Sequence, residues 1–272
     1  MKVLVTGANG MLGQDVCLAL ENSRHEFVAA GKSQLNITDL RECKSVVKDV
    51  SPDLIINCAA YTDVDGAEKQ VKQAYDINDL GAKNLAIASN VTCSKIIYIS
   101  SDYVFDGKSA IPYTENDFPR PLSVYGKSKY WGEVSTRDYA SKPYIIRTSW
   151  LYGNGGHNFV KTILNSDKEK LKVVNDQFGS PTSTKALANA IISFIEMKSQ
   201  YGTYHFSCEG YCSWYLFAKT IVELSGSNKQ IFPCTSQEFK TEAARPEFSV
   251  MKSTKQIPAM PSWKEALVDY FS

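Results

Sequence analysis

Residues 5–13 read Val-Thr-Gly-Ala-Asn-Gly-Met-Leu-Gly and follow directly on the apolar residues Val3 and Leu4. No other feature constrains the fold as strongly. The run Val3-Leu4-Val5 predicts a buried strand, and the spacing of Met11, Leu12, Val16, Leu18 and Leu20 predicts a helix that begins near Gly10. Gly7, Gly10 and Gly13 fall in the turn between them. Glycine serves three needs there: a tight turn, backbone amides that can approach a phosphate, and close packing of helix on strand. The start of the helix adds free N–H groups and the positive end of a dipole, which suits a pyrophosphate. A glycine motif alone is weak evidence. With a strand before it and a helix after it, this one predicts a dinucleotide site.

The first half of the chain keeps this alternation. Strands are predicted at Phe27–Ala30, over Leu54, Ile55 and Ile56, at Lys95–Ile99 and at Tyr144–Ile146. Helical stretches are predicted near Asp39–Val50, over Asp65–Asn90 and over 125–140. Short apolar runs separated by helices imply an α/β fold with a doubly wound parallel Rossmann sheet covered on both faces. Beyond residue 150 the pattern becomes irregular. Short strands are expected at Leu171–Val174 and Thr203–Phe206, and helices near Thr184–Met197, Trp214–Leu224 and Ser262–Phe271. The expected division is a nucleotide-binding domain over 1–150 and a smaller α/β substrate-binding lobe over 151–272, with the chain crossing back between them.

Composition excludes several classes. A net charge of +1 gives no reason to expect nucleic acid or an acidic membrane surface as a partner. No apolar run approaches the ~20 residues that span a bilayer. The first residues lead straight into a strand, so the expectation is no signal peptide and a cytoplasmic location. The seven cysteines are scattered and contain no C-x-x-C pair. A metal at Cys208 and Cys212, with His205, is the functional reading. Without a second ligand pair, free apolar thiols and no metal are expected.

Two further features carry chemistry. Tyr98-Ile-Ser-Ser-Asp-Tyr-Val-Phe105 places two hydroxyls at the end of a strand, and Tyr125-Gly-Lys-Ser-Lys129 places a phenol and an ammonium on one helical face. A Tyr-x-x-x-Lys pair is expected about once by chance in a chain with this many tyrosines and lysines. A second copy does occur, at Tyr215 and Lys219. Only Tyr125 follows a candidate serine, Ser101, in the half that carries the glycine turn. A carbonyl that receives hydride needs a proton donor, and a phenol whose pKa is ~10 needs a nearby cation to serve near neutral pH. Tyr125 is the expected donor, Lys129 the cation that also holds the nicotinamide ribose, and Ser101 the group that orients the carbonyl oxygen.

This set resembles that of the short-chain dehydrogenase/reductase superfamily. Asn57-Cys-Ala-Ala-Tyr-Thr-Asp-Val-Asp-Gly-Ala-Glu68, Ser101-Asp-Tyr-Val-Phe105, Arg147-Thr-Ser-Trp-Leu-Tyr152, Asp176-Gln-Phe-Gly-Ser-Pro-Thr182 and Ala244-Arg-Pro-Glu-Phe-Ser249 resemble the dTDP-4-dehydrorhamnose reductase family from end to end. The resemblance implies NAD(P)H-dependent reduction of a 4-keto nucleotide sugar to dTDP-L-rhamnose, a donor for cell-surface polysaccharide. It implies that Gly7, Asn9, Gly10, Met11, Leu12 and Gly13 line the pyrophosphate, and that Ala59, Ala60 and Tyr61 flank the cofactor. Thr62, Val64, Ser101, Asp102, Tyr103 and Trp150 would lie around the sugar, with Arg245 on its diphosphate.

The chain departs from the family in three places. Ser101 stands where threonine is usual. Asn36 replaces a common Asp and, with Ile37, would meet the adenine. Lys185 stands where an acid would be needed for a magnesium-bridged dimer, so neither metal nor dimer is implied, and monomer or homodimer stays open. After the second strand, Lys32 and Ser33 take the place of an acid that would favour NADH, which predicts NADPH, with NADH usable. Two alternatives share the fold. A sugar-nucleotide dehydratase or epimerase is one, although dehydratases carry Asp-Glu where this chain has Asp102-Tyr103. A non-catalytic NADP-binding regulatory subunit of methionine adenosyltransferase is the other.

Overall fold

The opening strand β1 (Lys2–Thr6) runs into the glycine turn, and α1 (Met11–Glu21) leaves it. In chain order there follow β2 (Glu26–Ala30), α2 (Leu40–Val50), β3 (Leu54–Asn57), α3 (Val64–Lys69), α4 (Val71–Tyr75), α5 (Gly81–Ser89), β4 (Lys95–Ser101), α6 (Val124–Tyr139) and β5 (Pro143–Thr148). The remainder comprises β6 (Leu151–Tyr152), α7 (Phe159–Leu164), β7 (Lys170–Val174), β8 (Phe178–Gly179), β9 (Thr182–Ser183), α8 (Thr184–Glu196), β10 (Gly202–His205), β11 (Cys212–Ser213), α9 (Trp214–Ser225), β12 (Gln230–Cys234) and α10 (Trp263–Phe271). This computed structural model describes residues 1–197 and 199–272. Among the described residues no helix is long and apolar enough to cross a membrane.

Six strands form one parallel sheet in the order β10-β5-β4-β3-β1-β2. This is the doubly wound α/β architecture the alternation predicts. Successive residues of β1 feed opposite faces: Val3 and Val5 join the cluster that holds Leu12, Val16 and Ile191, while Leu4 joins Cys43, Val47 and Leu85. Thus α1 and α8 pack together on one face and α2 and α5 on the other. The chain leaves β1 towards β2 and returns to β3 on the other side. The carboxyl ends of β1 and β3 therefore open a crevice where such sheets take ligands.

Three local expectations are corrected. Leu18 is 54% exposed and lies off the buried stripe of α1. The stretch 65–90 is not one helix: it breaks at Gln70, whose backbone (φ −115°, ψ 47°) leaves the helical region, and it contains a π turn at Asp76–Leu80. In the C-terminal part, β10 joins the large sheet. The other short strands pair separately, β12 with β7, β11 with β8 and β6 with β9, and of the elements beyond residue 150 the sequence pattern misses β6, α7, β8, β9, β11 and β12. Each missed element is short, so periodicity has too few residues to register.

Candidate active site

The glycine turn is built for contact with backbone. Gly7 has φ +66°, and a Cβ there would lie 2.5 Å from the amide nitrogen of Ala59 in the loop after β3. A Cβ at Gly13 would strike the Gly7 carbonyl. The N-cap of α1 is Gly10, which offers no side chain to cap the helix, so its first N–H groups are left for a ligand. The ends of β1 and β3 are tied by Thr6 Oγ1 donating to Asn57 Oδ1 at 2.8 Å, and Ala59 N donates to the same oxygen at 3.1 Å. Gly7, Ala59 and the start of α1 thus share one crevice. The Leu12 side chain belongs to the core, so only its backbone amide could face a phosphate.

At the neighbouring strand end, the Asn9 side chain lies against Gly31. Lys32 and Ser33 follow, both exposed. Two adenine-side expectations need revision. Asn36 Oδ1 accepts from Thr38 N (3.2 Å) and Thr38 Oγ1 (2.8 Å), so the amide oxygen offered to adenine is already engaged in a local turn. Ile37 is buried: its side chain packs on Gly81 and its carbonyl accepts from Asn84 Nδ2 at 2.9 Å.

The three residues assigned to catalysis meet over the end of β4. Ser123 caps α6 by accepting from Gly126 N, which sets Tyr125 in the first turn. Gly126 and Gly132 allow α6 to press on its neighbours: a Cβ at 126 would strike the Tyr103 carbonyl, and one at 132 the Asn78 carbonyl and the Tyr98 hydroxyl. The Tyr125 ring meets Tyr103 edge-on at 5.6 Å. Burial pushes the Tyr125 phenol up to about 12, opposed by its hydrogen-bonding approach to the Ser101 side chain. Lys129 is 2% exposed, donates to the Ile99 carbonyl at 2.6 Å and lies 4.2 Å over the Tyr98 ring. Burial brings its ammonium down to about 7, while Glu133 and Cys58 act to hold the charge.

The ammonium and the phenol have different partners. The ammonium is drawn to Ile99, two residues back along β4 from Ser101, a separation of about 7 Å along a strand. Ser101 is the side chain that acts on the Tyr125 phenol by hydrogen bonding.

The expected sugar-side residues fall into two groups. Asp102 is buried, with Ser101 Oγ donating to Oδ1 at 2.9 Å and Ser249 Oγ to Oδ2 at 2.6 Å, and burial raises its carboxyl to about 7. Burial pushes the Tyr103 phenol up, and the nearby Arg245 guanidinium opposes that rise. The Arg245 fork, expected to hold a diphosphate, is occupied instead by Asp65, with Nη1–Oδ1 3.2 Å and Nη2–Oδ2 2.8 Å. Asp65 precedes the break at Gln70, and Thr62 and Val64 flank the Asp63 cap of α3. Trp150, between β5 and β6, has φ +47°, a strained value for a tryptophan. Its ring stacks parallel on that of Trp214 at 3.4 Å and fills the space beside Gly179. Trp150 therefore presents at most one face to a ligand.

Sequence reasoning missed Ser249, Asn78, Trp214 and Glu133. Asn78, on the π turn, holds Tyr61 through both N–H and carbonyl and donates to Ser128 Oγ at 2.9 Å. A π turn has no signature in periodicity. The seven cysteines are free thiols. Cys208 and Cys212 sit in the apolar core, whereas His205 belongs to a separate cluster with Arg147 and Glu115.

Comparison with known proteins places the whole chain in one family. The RmlD substrate binding domain family matches residues 1–272. The spore coat polysaccharide biosynthesis protein SpsK of Bacillus subtilis is 43% identical, covering 99% of this chain and 96% of that protein. The dTDP-4-dehydrorhamnose reductase of Aggregatibacter actinomycetemcomitans is 39% identical, covering 98% and 97%. The crystal structure of dTDP-4-dehydrorhamnose reductase from Bacillus anthracis in complex with NADP superposes with a TM-score of 0.95 at 42% identity, covering 99% of this chain and 98% of that one. Matched over its whole length, the chain belongs to the RmlD substrate binding domain family, that of the dTDP-4-dehydrorhamnose reductases.

Proposed function

We propose that this chain reduces the 4-keto group of dTDP-4-dehydro-L-rhamnose with NADPH, in the cytoplasm, to supply dTDP-L-rhamnose for cell-surface polysaccharide. The observation that carries this reading is the meeting of Ser101, Tyr125 and Lys129 at one strand end, beside the glycine crevice, in a chain of this family. The crevice fits a dinucleotide. A Cβ at Gly7 would fill it, and the first N–H groups of α1 have no side-chain cap. Gly7, Asn9, Gly10, Met11, Leu12 and Gly13 would hold the pyrophosphate through backbone, Ala59, Ala60 and Tyr61 would flank the rings, and Lys32 and Ser33 would meet a 2′-phosphate. When bound, the cofactor supplies hydride.

The residues of the chain supply the rest. Tyr125, with its phenol pushed up to about 12, is fully protonated at neutral pH, the form needed to give a proton to an oxygen that is gaining negative charge. Ser101 fixes where that oxygen lies. Lys129, held on Ile99, in its protonated form, which Glu133 favours against burial, supplies a positive charge one helical turn from the phenolate that proton transfer leaves behind. Thr62, Val64, Asp102, Tyr103 and Trp150 would shape the sugar pocket. Arg245 would reach the diphosphate only by giving up Asp65.

The test is NADPH oxidation with freshly generated dTDP-4-dehydrorhamnose, comparing the parent with Tyr125→Phe. Loss of the proton donor is expected to cost at least ~100-fold in rate. An undiminished rate would reject Tyr125 as the acid. Turnover of sugar without net consumption of NADPH would favour an epimerase instead.

A further inference from the structure

Ser101 Oγ donates to Asp102 Oδ1 at 2.9 Å and accepts from Tyr103 N at 3.2 Å. A hydroxyl has one proton and two lone pairs. While Asp102 is a carboxylate, which can only accept, the single Ser101 proton is committed to it. The one remaining site on Ser101 is a lone pair, and it is the Tyr125 phenol that faces this hydroxyl. The second Asp102 oxygen accepts from Ser249 Oγ at 2.6 Å, a bond that spans 147 residues. Ser101, Asp102 and Ser249 are 7%, 1% and 1% exposed, so water does not compete for these bonds.

We propose that Ser249 and Asp102 form a brace that sets the hydrogen-bond polarity of Ser101, with Asp102 as a positioning residue. With the carboxylate ionised, Ser101 can only accept. It then competes with the substrate for the Tyr125 proton and has nothing to donate to a carbonyl oxygen. With a proton on Oδ1, Asp102 donates to Ser101, the Ser101 proton is released, and the hydroxyl can donate to the substrate oxygen. Ser249 stabilises the ionised form by donating to it, and so sets the balance between the two arrangements.

The titratable and charged groups around Asp102 are few. From α6 it faces Tyr125, and on its own turn Tyr103. Arg245, paired with Asp65, lies beyond Tyr103. Lys129 is held on Ile99 and acts on Cys58. Burial raises Asp102 and the two serine hydroxyls lower it, which brings both arrangements within reach near neutral pH.

The tests use the whole chain. Asp102 is followed by carbon-13 NMR of Asp-labelled protein without substrate, its signal assigned by its absence in Asp102→Asn. Ser249→Ala removes one donor to the carboxylate, so the titration midpoint should rise by about one pH unit or more. In NADPH-linked turnover, which rests on the proposed reductase reading, the kcat/KM ratio of Ser249→Ala to parent cancels groups common to both, Lys129 included. That ratio should climb by up to about tenfold between pH 6 and pH 9, because the variant keeps Asp102 protonated to higher pH. A purely structural role for Ser249 would lower the ratio without a slope. An unmoved Asp102 titration, or a flat ratio despite a moved one, would overturn the brace. If neither protein turns over keto-sugar while the Asp102 midpoint shifts as stated, the substrate assignment falls and the brace stands.

Discussion

The pair beneath the site gives the sharpest test of what holds it in place. Glu133 accepts from Ser100 Oγ at 2.6 Å, from Arg147 Nε at 2.8 Å and from Arg147 Nη2 at 2.7 Å. The two charged side chains are 0% and 3% exposed, so neither charge can turn to water. His205, next to Arg147, cannot compensate: burial and the guanidinium push its imidazole down to about 4, so it is neutral at pH 7. Glu133→Gln preserves volume but leaves Arg147 buried without a counter-charge and turns an amide N–H towards an N–H. Removing one partner of a buried pair costs about 3–5 kcal/mol. With an unfolding entropy of ~2.1 cal/mol/K per residue, the 272 residues lower the midpoint by roughly 5–9 °C. Urea titration followed by tryptophan fluorescence and a calorimetric scan measure both figures. Glu133→Leu with Arg147→Met, which removes both charges, should recover most of the loss. If Glu133→Gln stays within about 1 kcal/mol of the parent, or if the double variant is worse than the single, the account of this pair is wrong.

Two further outcomes follow from the cofactor crevice. Gly7→Ala must adopt φ +66° and place its Cβ 2.5 Å from Ala59 N, so NADPH affinity measured by fluorescence titration should weaken at least about tenfold; parent-like affinity would show that the turn is not the site. Lys32→Ala should lower kcat/KM with NADPH and leave that with NADH nearly unchanged, because only the former carries a 2′-phosphate for the exposed ammonium to meet. Comparable efficiency of the parent with both cofactors would defeat this assignment.

The legible parts of the molecule were those written locally. Val3-Leu4-Val5 and Leu54-Ile55-Ile56 announce buried strands because each side chain in the run has a face to fill, and the glycine turn announces the crevice because only glycine tolerates the Gly7–Ala59 approach. The illegible parts depend on partners far away in sequence. Arg245 as an open fork and Arg245 paired with Asp65 are the same residue until the chain folds and brings positions 180 residues apart to 2.8 Å. Trp150 likewise reads as a free ring until Trp214 covers one of its faces.

The two Tyr-x-x-x-Lys copies show where spacing stops and packing begins. In α9, Lys219 is exposed and sits 3.8 Å from Glu223 one turn on, while Tyr215 packs against the apolar core. That copy is an amphipathic helix with an exposed ion pair, worth little to stability. In α6 the same spacing is flanked by Gly126 and Gly132, and these let the helix backbone approach the Tyr103 carbonyl, the Asn78 carbonyl and the Tyr98 hydroxyl. A side chain at either glycine would lift α6 away from β4, and with it the phenol from Ser101 and the ammonium from Ile99. The spacing puts the two groups on one face, but the glycines bring that face to the strand end. The informative motif is therefore Tyr125-Gly-x-x-Lys129-x-x-Gly132, in which the small residues matter as much as the reactive ones.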